Sequence, residues 1–325
     1  MIFLYLFIAY WVVLLTFIIV NLVKANPQRT LAKDQNKLRG TGISFEEKSD
    51  TEHYFILHAV EDGIERITYT PKIRKHEAPI LMLHGMWHGA WCWEPWQKYF
   101  AENGWEVITF SLPGHGKSTK KRTIFLCRLD YYLAFLRDEV ARLPQKPILM
   151  GHSMGGALTQ WYLKYLGDDL PAAVLVAPWV AKNSYADGAP LLIKLDPIGA
   201  LLTFIRWNTS SYVRSPKRAA LLLTTEGALV TPEDLHAQLT NESALVTFQH
   251  MPPLWYPPKG LHTSMLILAA EKDAVVSLKG LKASAEHYGA ELLPISNSGH
   301  NLMMEATAPE TVKKIDNWLK KQEII

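Results

Sequence analysis

Cysteine is nearly absent from this chain, since its 325 residues hold only Cys92 and Cys127. Two such residues exclude a disulfide framework. Without C-x-x-C spacing or a run of ligands beside them they give no zinc knuckle either, and both are expected to be unpaired, buried thiols. An excess of one charge is also lacking: 34 basic against 31 acidic residues leave +3, too little for the broad basic field that nucleic acid requires. Repeats and low-complexity tracts are missing, so neither a solenoid nor a disordered chain is indicated. The 48% hydrophobic content is that of an ordinary globular protein.

Charge vanishes altogether between Ile2 and Val23. At ~1.5 Å per residue this stretch would make a helix of ~33 Å, the thickness of a bilayer's hydrocarbon core. A cleaved signal peptide is the rival reading, because Val23-Lys24-Ala25 loosely resembles a cleavage site. No basic residue precedes the run, however, and the run is long for a signal peptide, so residues 1–23 are expected to be an uncleaved transmembrane anchor. Lys24, Arg29, Lys33, Lys37 and Arg39 follow it, opposed only by Asp34. The positive-inside rule puts such a flank, and hence the body that follows, on the cytoplasmic side. Residues 24–50 read as a basic, polar linker and residues 51–325 as the folded domain.

From Thr51 two alternating segments, His53 to Val60 and Ile64 to Thr70, flank Glu61-Asp62-Gly63 as a hairpin. Short unbroken apolar runs then take over at Pro79 to Leu83, Val107 to Phe110, Ile148 to Met150, Ala173 to Val176 and Met265 to Ala269. Such runs suit parallel strands covered on both faces. Helical stretches such as Leu129 to Leu143 and Met154 to Leu166 lie between them, giving an α/β chain with a mostly parallel central sheet and helices on both faces. The alternation lapses over residues 181–260, where pieces such as Pro190 to Arg206 and Pro232 to Gln249 read as a helical insertion. It resumes with a helix near Leu278, a strand near Leu292 to Ile295 and a last helix from Pro309 to Lys321.

The strongest chemical signal is Gly151-His152-Ser153-Met154-Gly155, placed directly after one strand and before a helix. A serine on so tight a turn is held in strained backbone, and the side-chain-free neighbours Gly151 and Gly155 let the chain pass close by. Its hydroxyl needs a base. His300, in Ser298-Gly299-His300-Asn301 after the last strand, lies on a loop at the strands' carboxyl ends, where loops converge on Ser153. The base in turn needs a carboxylate to fix its tautomer; Asp273 follows the strand Met265 to Ala269, with Glu271 as the nearest competitor. For the oxyanion, His84-Gly85-Met86-Trp87 follows the strand Pro79 to Leu83 and can present the Met86 amide opposite that of Met154. His84 and His88 stand four apart, but they lack the H-E-x-x-H glutamate and follow a strand, so no metal site is expected. Gly116-Lys117-Ser118 imitates the end of a phosphate-binding loop. The glycine required five places earlier is Ser111, which excludes a nucleotide site.

Taken together, His84-Gly85, Pro113-Gly114-His115-Gly116-Lys117-Ser118, Gly151 to Gly155, Asp273 and Ser298-Gly299-His300 resemble the α/β-hydrolase superfamily from about Thr51 to the C-terminus. The resemblance implies an α/β-hydrolase fold, a cap inserted after the sixth strand where residues 181–260 stand, no cofactor, and a small-molecule ester or lipid substrate. Pro113 to Ser118 is similar to the motif of monoacylglycerol lipases and related esterases, which often carry Asp where Ser111 stands. His84 to Trp93 resembles the corresponding loop of plant methylesterases and hydroxynitrile lyases. Epoxide hydrolases and haloalkane dehalogenases place aspartate at the position of Ser153, which excludes their chemistry. The expected function is therefore a membrane-anchored serine ester hydrolase. Acyltransferase, thioesterase or lyase action on the same residues is the alternative, and a non-catalytic tethered binding protein would have lost one of the three. Trp179, Trp207, Trp255 and Tyr256 either line an apolar channel or pack the cap on the core, with packing expected for most.

Overall fold

In the computed structural model, which describes residues 1–23 and 25–322, the backbone forms one nine-stranded sheet. Lys24 of the basic flank and the last three residues of the chain lie outside the described residues. The chain opens with α1 (Ile2–Val23) and a short α2 (Pro27–Leu31), which packs on α4 (Leu129–Ala141). β1 (Ile43–Asp50), β2 (Tyr54–Glu61) and β3 (Ile64–Pro71) are an antiparallel meander. The β2–β3 turn places Asp62 and Gly63 both at positive φ, 52° and 67°, the conformation that a two-residue hairpin with native twist demands.

The parallel core comprises β4 (Ile80–Leu83), β5 (Val107–Phe110), β6 (Ile148–His152), β7 (Ala173–Val176), β8 (Met265–Ala270) and β9 (Glu291–Ile295). Spatial order is β1-β2-β3-β5-β4-β6-β7-β8-β9, and only β1 and β3 run against the rest, β2 pointing the same way as the parallel core. Every residue of β4, β5, β6, β7 and β8 is buried. This is why these strands read as unbroken apolar runs, for α3 (Glu94–Glu102), α4, α5 (Met154–Tyr165), α11 (Leu278–Tyr288) and α12 (Ala308–Lys321) cover both faces.

The structure departs from the sequence reading in three places. Residues 43–50, assigned to the linker, are strand β1; its side chains are mostly exposed at the sheet edge, so burial left no apolar alternation to read. Within the insertion, the piece Pro190 to Arg206 is not one helix. It divides into α6 (Ser184–Leu195) and α7 (Pro197–Arg206), because Asp196 turns to cap α7, accepting from the Gly199 amide at 2.9 Å, and Pro197 starts the new helix. The piece Pro232 to Gln249 likewise divides, into α9 (Pro232–Gln238) and α10 (Leu245–Gln249), because the chain turns extended at Leu239; α8 (Pro216–Leu223) and a 3-10 turn at Thr209–Val213 complete this segment.

Candidate active site

Ser153 caps α5 at the carboxyl end of β6, and its backbone stands at φ 51°, ψ −114°. A side chain at positive φ costs ~1–3 kcal/mol and survives only where its surroundings hold it. Here the Ser153 amide donates to the Val176 carbonyl at 3.0 Å, and the Ser153 carbonyl accepts from Ala157 at 3.1 Å and Trp179 at 3.3 Å. The neighbouring glycines are required by close approach. A Cβ on Gly155 would collide with the carbonyl oxygens of Leu83 and His84, and one on Gly85 would lie 2.9 Å from the Ser153 Cβ. The end of β4 is thus pressed against the serine turn.

His300 and Asp273 meet although 27 residues separate them: His300 Nδ1 donates to Asp273 Oδ2 at 2.8 Å, with both side chains buried. The other oxygen, Oδ1, accepts from the Val275 and Val276 amides at 2.7 and 3.0 Å, so the carboxylate is fixed on both sides. This tautomer leaves Nε2 of His300 with its lone pair. Glu271, the competitor, is exposed and accepts instead from the Asn297 amide at 3.2 Å. His152, just before the serine, donates from Nε2 to the His300 carbonyl at 3.1 Å, and the two rings lie 4.7 Å apart. The serine turn and the histidine loop are therefore joined directly.

Met86 follows the tight Gly85, and Met154 opens α5. Among the described residues neither amide hydrogen has a protein acceptor, so both remain for a ligand oxygen. His84 and His88 hold this loop. His84 Nδ1 donates to the Gly85 carbonyl at 2.7 Å while Nε2 accepts from the Leu112 amide at 3.0 Å. His88 Nδ1 donates to the Met86 carbonyl at 2.7 Å, and its Nε2 accepts from Asn301 Nδ2 at 3.0 Å. Both nitrogens of each ring are thereby committed to structure. Complete burial drives the basicity of His84 and His152 well below the ordinary histidine value and that of His88 down to about 4, so these rings stay neutral.

Sequence reasoning missed three participants. His152 and Asn301 gave no signal beyond their neighbours in the motifs. Glu65 had one, an acid at a buried position near the start of β3. Its Oε2 accepts from the Ser111 hydroxyl at 2.6 Å and the Lys117 amide at 2.8 Å, while Oε1 meets His58 Nε2 at 2.8 Å. A carboxylate from β3 is thus set against Ser111, and the loop Pro113 to Ser118 folds around it.

Beside the site lies a cavity of about 280 Å³, bounded by Met86, Trp87, Trp179, Leu192, Phe204 and Val276 among others. Its wall is apolar, shared between the core loops and α6 and α7. Trp179 and Trp207 line it, whereas Trp255 stacks on Trp161 at 5.4 Å and Tyr256 is exposed.

A buried serine at a strand-to-helix turn, a histidine–aspartate pair from two later loops and two free amides on this sheet define an α/β hydrolase. A family model described as "Alpha/beta hydrolase family" matches residues 80–314, more than two thirds of the chain. The chain belongs to the alpha/beta hydrolase family. Norfluorocurarine synthase 1 of Strychnos nux-vomica is 32% identical over 140 residues, covering 38% of this chain and 53% of that protein. Methyl jasmonate esterase 1 of Vitis vinifera is 27% identical over 111 residues, covering 33% and 42%. The chain thus spans about half the length of the curated relatives it matches. Among solved structures, a monoacylglycerol lipase of Paleococcus ferrophilus superposes with a TM-score of 0.62 at 18% identity, covering 80% of this chain and 99% of that one, a likeness of fold.

Proposed function

We propose that the chain is a serine hydrolase of carboxylic esters, with Ser153 as nucleophile, His300 as general base and Asp273 as the acid that orients it. The observation that carries the reading is the 2.8 Å His300–Asp273 bond, buried and joined through His152 to the turn that bears Ser153. In the first half-reaction Ser153 Oγ attacks the ester carbonyl as its proton passes to His300 Nε2. The Met86 and Met154 amides receive the oxyanion, each such donor contributing ~3 kcal/mol in other serine enzymes. The tetrahedral intermediate collapses, and His300 returns the proton to the departing alcohol. Water then repeats the sequence on the acyl-enzyme, releasing the acid.

The apolar cavity supports substrates with a hydrophobic acyl or alkyl portion, as do the names of the esterase and lipase relatives. Helix α1 serves as a membrane anchor, and the flank carrying Arg29, Lys33, Lys37 and Arg39 faces the body to the cytoplasm. The test is labelling with a fluorophosphonate probe, which adds covalently to an activated serine. Wild type is expected to label and Ser153→Ala to remain unlabelled; persistent labelling of the variant overturns the assignment. Product analysis on ester, thioester and lipid substrates, with and without an added alcohol, separates hydrolysis from acyl transfer.

A further inference from the structure

Helix α1 does not stand clear of the body. Trp11, Leu14, Ile18 and Asn21 are partly or fully covered while the residues between them are exposed, a spacing that makes one stripe down a helix. The Trp11 ring stacks on Phe204 with centroids 4.3 Å apart, and the Tyr10 hydroxyl donates to the Ile205 carbonyl at 3.2 Å. Near the other end, Arg128 donates to the Asn21 carbonyl at 3.5 Å. Contact therefore starts at mid-helix and runs towards the end of α1. The rise from Trp11 to Val23 is ~18 Å at ~1.5 Å per residue, more than half of a ~30 Å hydrocarbon core. Wherever α1 is embedded, the element touching Trp11 shares its depth. That element is α7.

The composition of α7 agrees with such a position. Ile198, Leu201 and Ile205 form an exposed outer stripe with Phe204 beside it, while Ala200 and Thr203 face inward to line the cavity. No charge occurs between Pro197 and Arg206, so α7 is apolar on every side, a pattern that belongs in an apolar phase. Tyr185 and Ile193 of α6 extend the exposed face. Lys194 and Arg206, in the last turns of α6 and α7, place cations at its rim, where their stems can lie in lipid and their heads at anionic phosphates.

We infer that α7 and the adjoining part of α6 are a membrane-docking surface, immersed in the leaflet that holds the C-terminal half of α1. An apolar ester passes from that leaflet into the cavity between the two helices without crossing water. The docking stands on α1 being embedded, and the passage of substrate rests on the hydrolase reading above.

The experiment uses the full-length chain in vesicles of phosphatidylcholine and phosphatidylglycerol. Both native cysteines are buried, which pushes the Cys127 thiol up to about 12 and that of Cys92 well above its usual range, so a cysteine introduced elsewhere takes a maleimide fluorophore selectively. Leu201→Cys is compared with Lys282→Cys on exposed α11. The label at position 201 is expected to be quenched by spin-labelled acyl chains and spared by aqueous iodide, with the opposite at position 282. Quenching of both labels by iodide alone overturns the docking. In a second arm, Leu201→Glu is expected to lower kcat/KM on a vesicle-embedded long-chain ester by at least about tenfold while hydrolysis of p-nitrophenyl acetate is retained. Equal activity on vesicles overturns the lateral passage, and loss on both esters marks misfolding, leaving the quenching to decide. A wild type that cleaves neither ester defeats the hydrolase reading, whereas the quenching still decides the docking.

Discussion

Acidification should unfold this protein through histidines that it buries uncharged. His84, His88, His152 and His250 are each 1% exposed or less. Burial lowers all four, His88 to about 4, His250 to about 3, and His84 and His152 well below the ordinary value. Below pH ~6.5 the unfolded chain binds a proton at each ring and the folded chain does not. Stability therefore falls as pH falls, and the loss continues until the folded rings titrate, which for His88 is near pH 4. Between pH 7 and pH 5.5 each ring contributes a loss of ~1.3 kcal/mol, so the four together cost ~5 kcal/mol, a large share of a typical folding free energy. At ~2 °C per kcal/mol, the melting midpoint at pH 5.5 should lie ~10 °C below that at pH 7. The assay is thermal melting of the full-length chain in detergent, followed by tryptophan fluorescence across that pH range. His250→Gln, which removes one of the four, should reduce the pH dependence by about a quarter. A midpoint that is flat or rises from pH 7 to pH 5.5 refutes the reasoning.

Other substitutions test the site. Asp273→Asn should reduce ester turnover by ~10⁴ with an unchanged melting curve, while Glu271→Gln, at an exposed carboxylate, should be nearly silent in the same assay. The reverse ranking would return the role to Glu271. Gly155→Ala forces a methyl group into the Leu83 and His84 carbonyls, so it should destabilise by ~1–3 kcal/mol and slow fluorophosphonate labelling by displacing the Met154 amide. Wild-type melting and labelling in that variant would show that the turn can relax.

The amino-acid order alone specified the five central strands, β4 to β8, and the set of candidate site residues. Fully buried parallel strands must be apolar throughout, so β4 to β8 were legible as short runs with bounds within one or two residues of those observed. The strained turn of Ser153 demands small neighbours, which makes Gly151 to Gly155 readable as a motif, and the loops after β8 and β9 were identifiable by position. What the sequence left open required contacts between distant segments. The choice of Asp273 over Glu271 depends on which carboxylate the turn through Val275 and Val276 aims at His300, and no spacing rule distinguishes two acids on one loop. The carboxylate of Glu65 reaches Ser111 across 46 residues because β3 lies beside β5 in the sheet. β1 went unread because an exposed edge strand needs no apolar alternation. The α1–α7 contact joins residues nearly 200 apart: hydropathy marks α1 as long and apolar enough to cross a bilayer, but only tertiary packing sets α7 against it, because no local pattern records a contact between segments so distant in the chain.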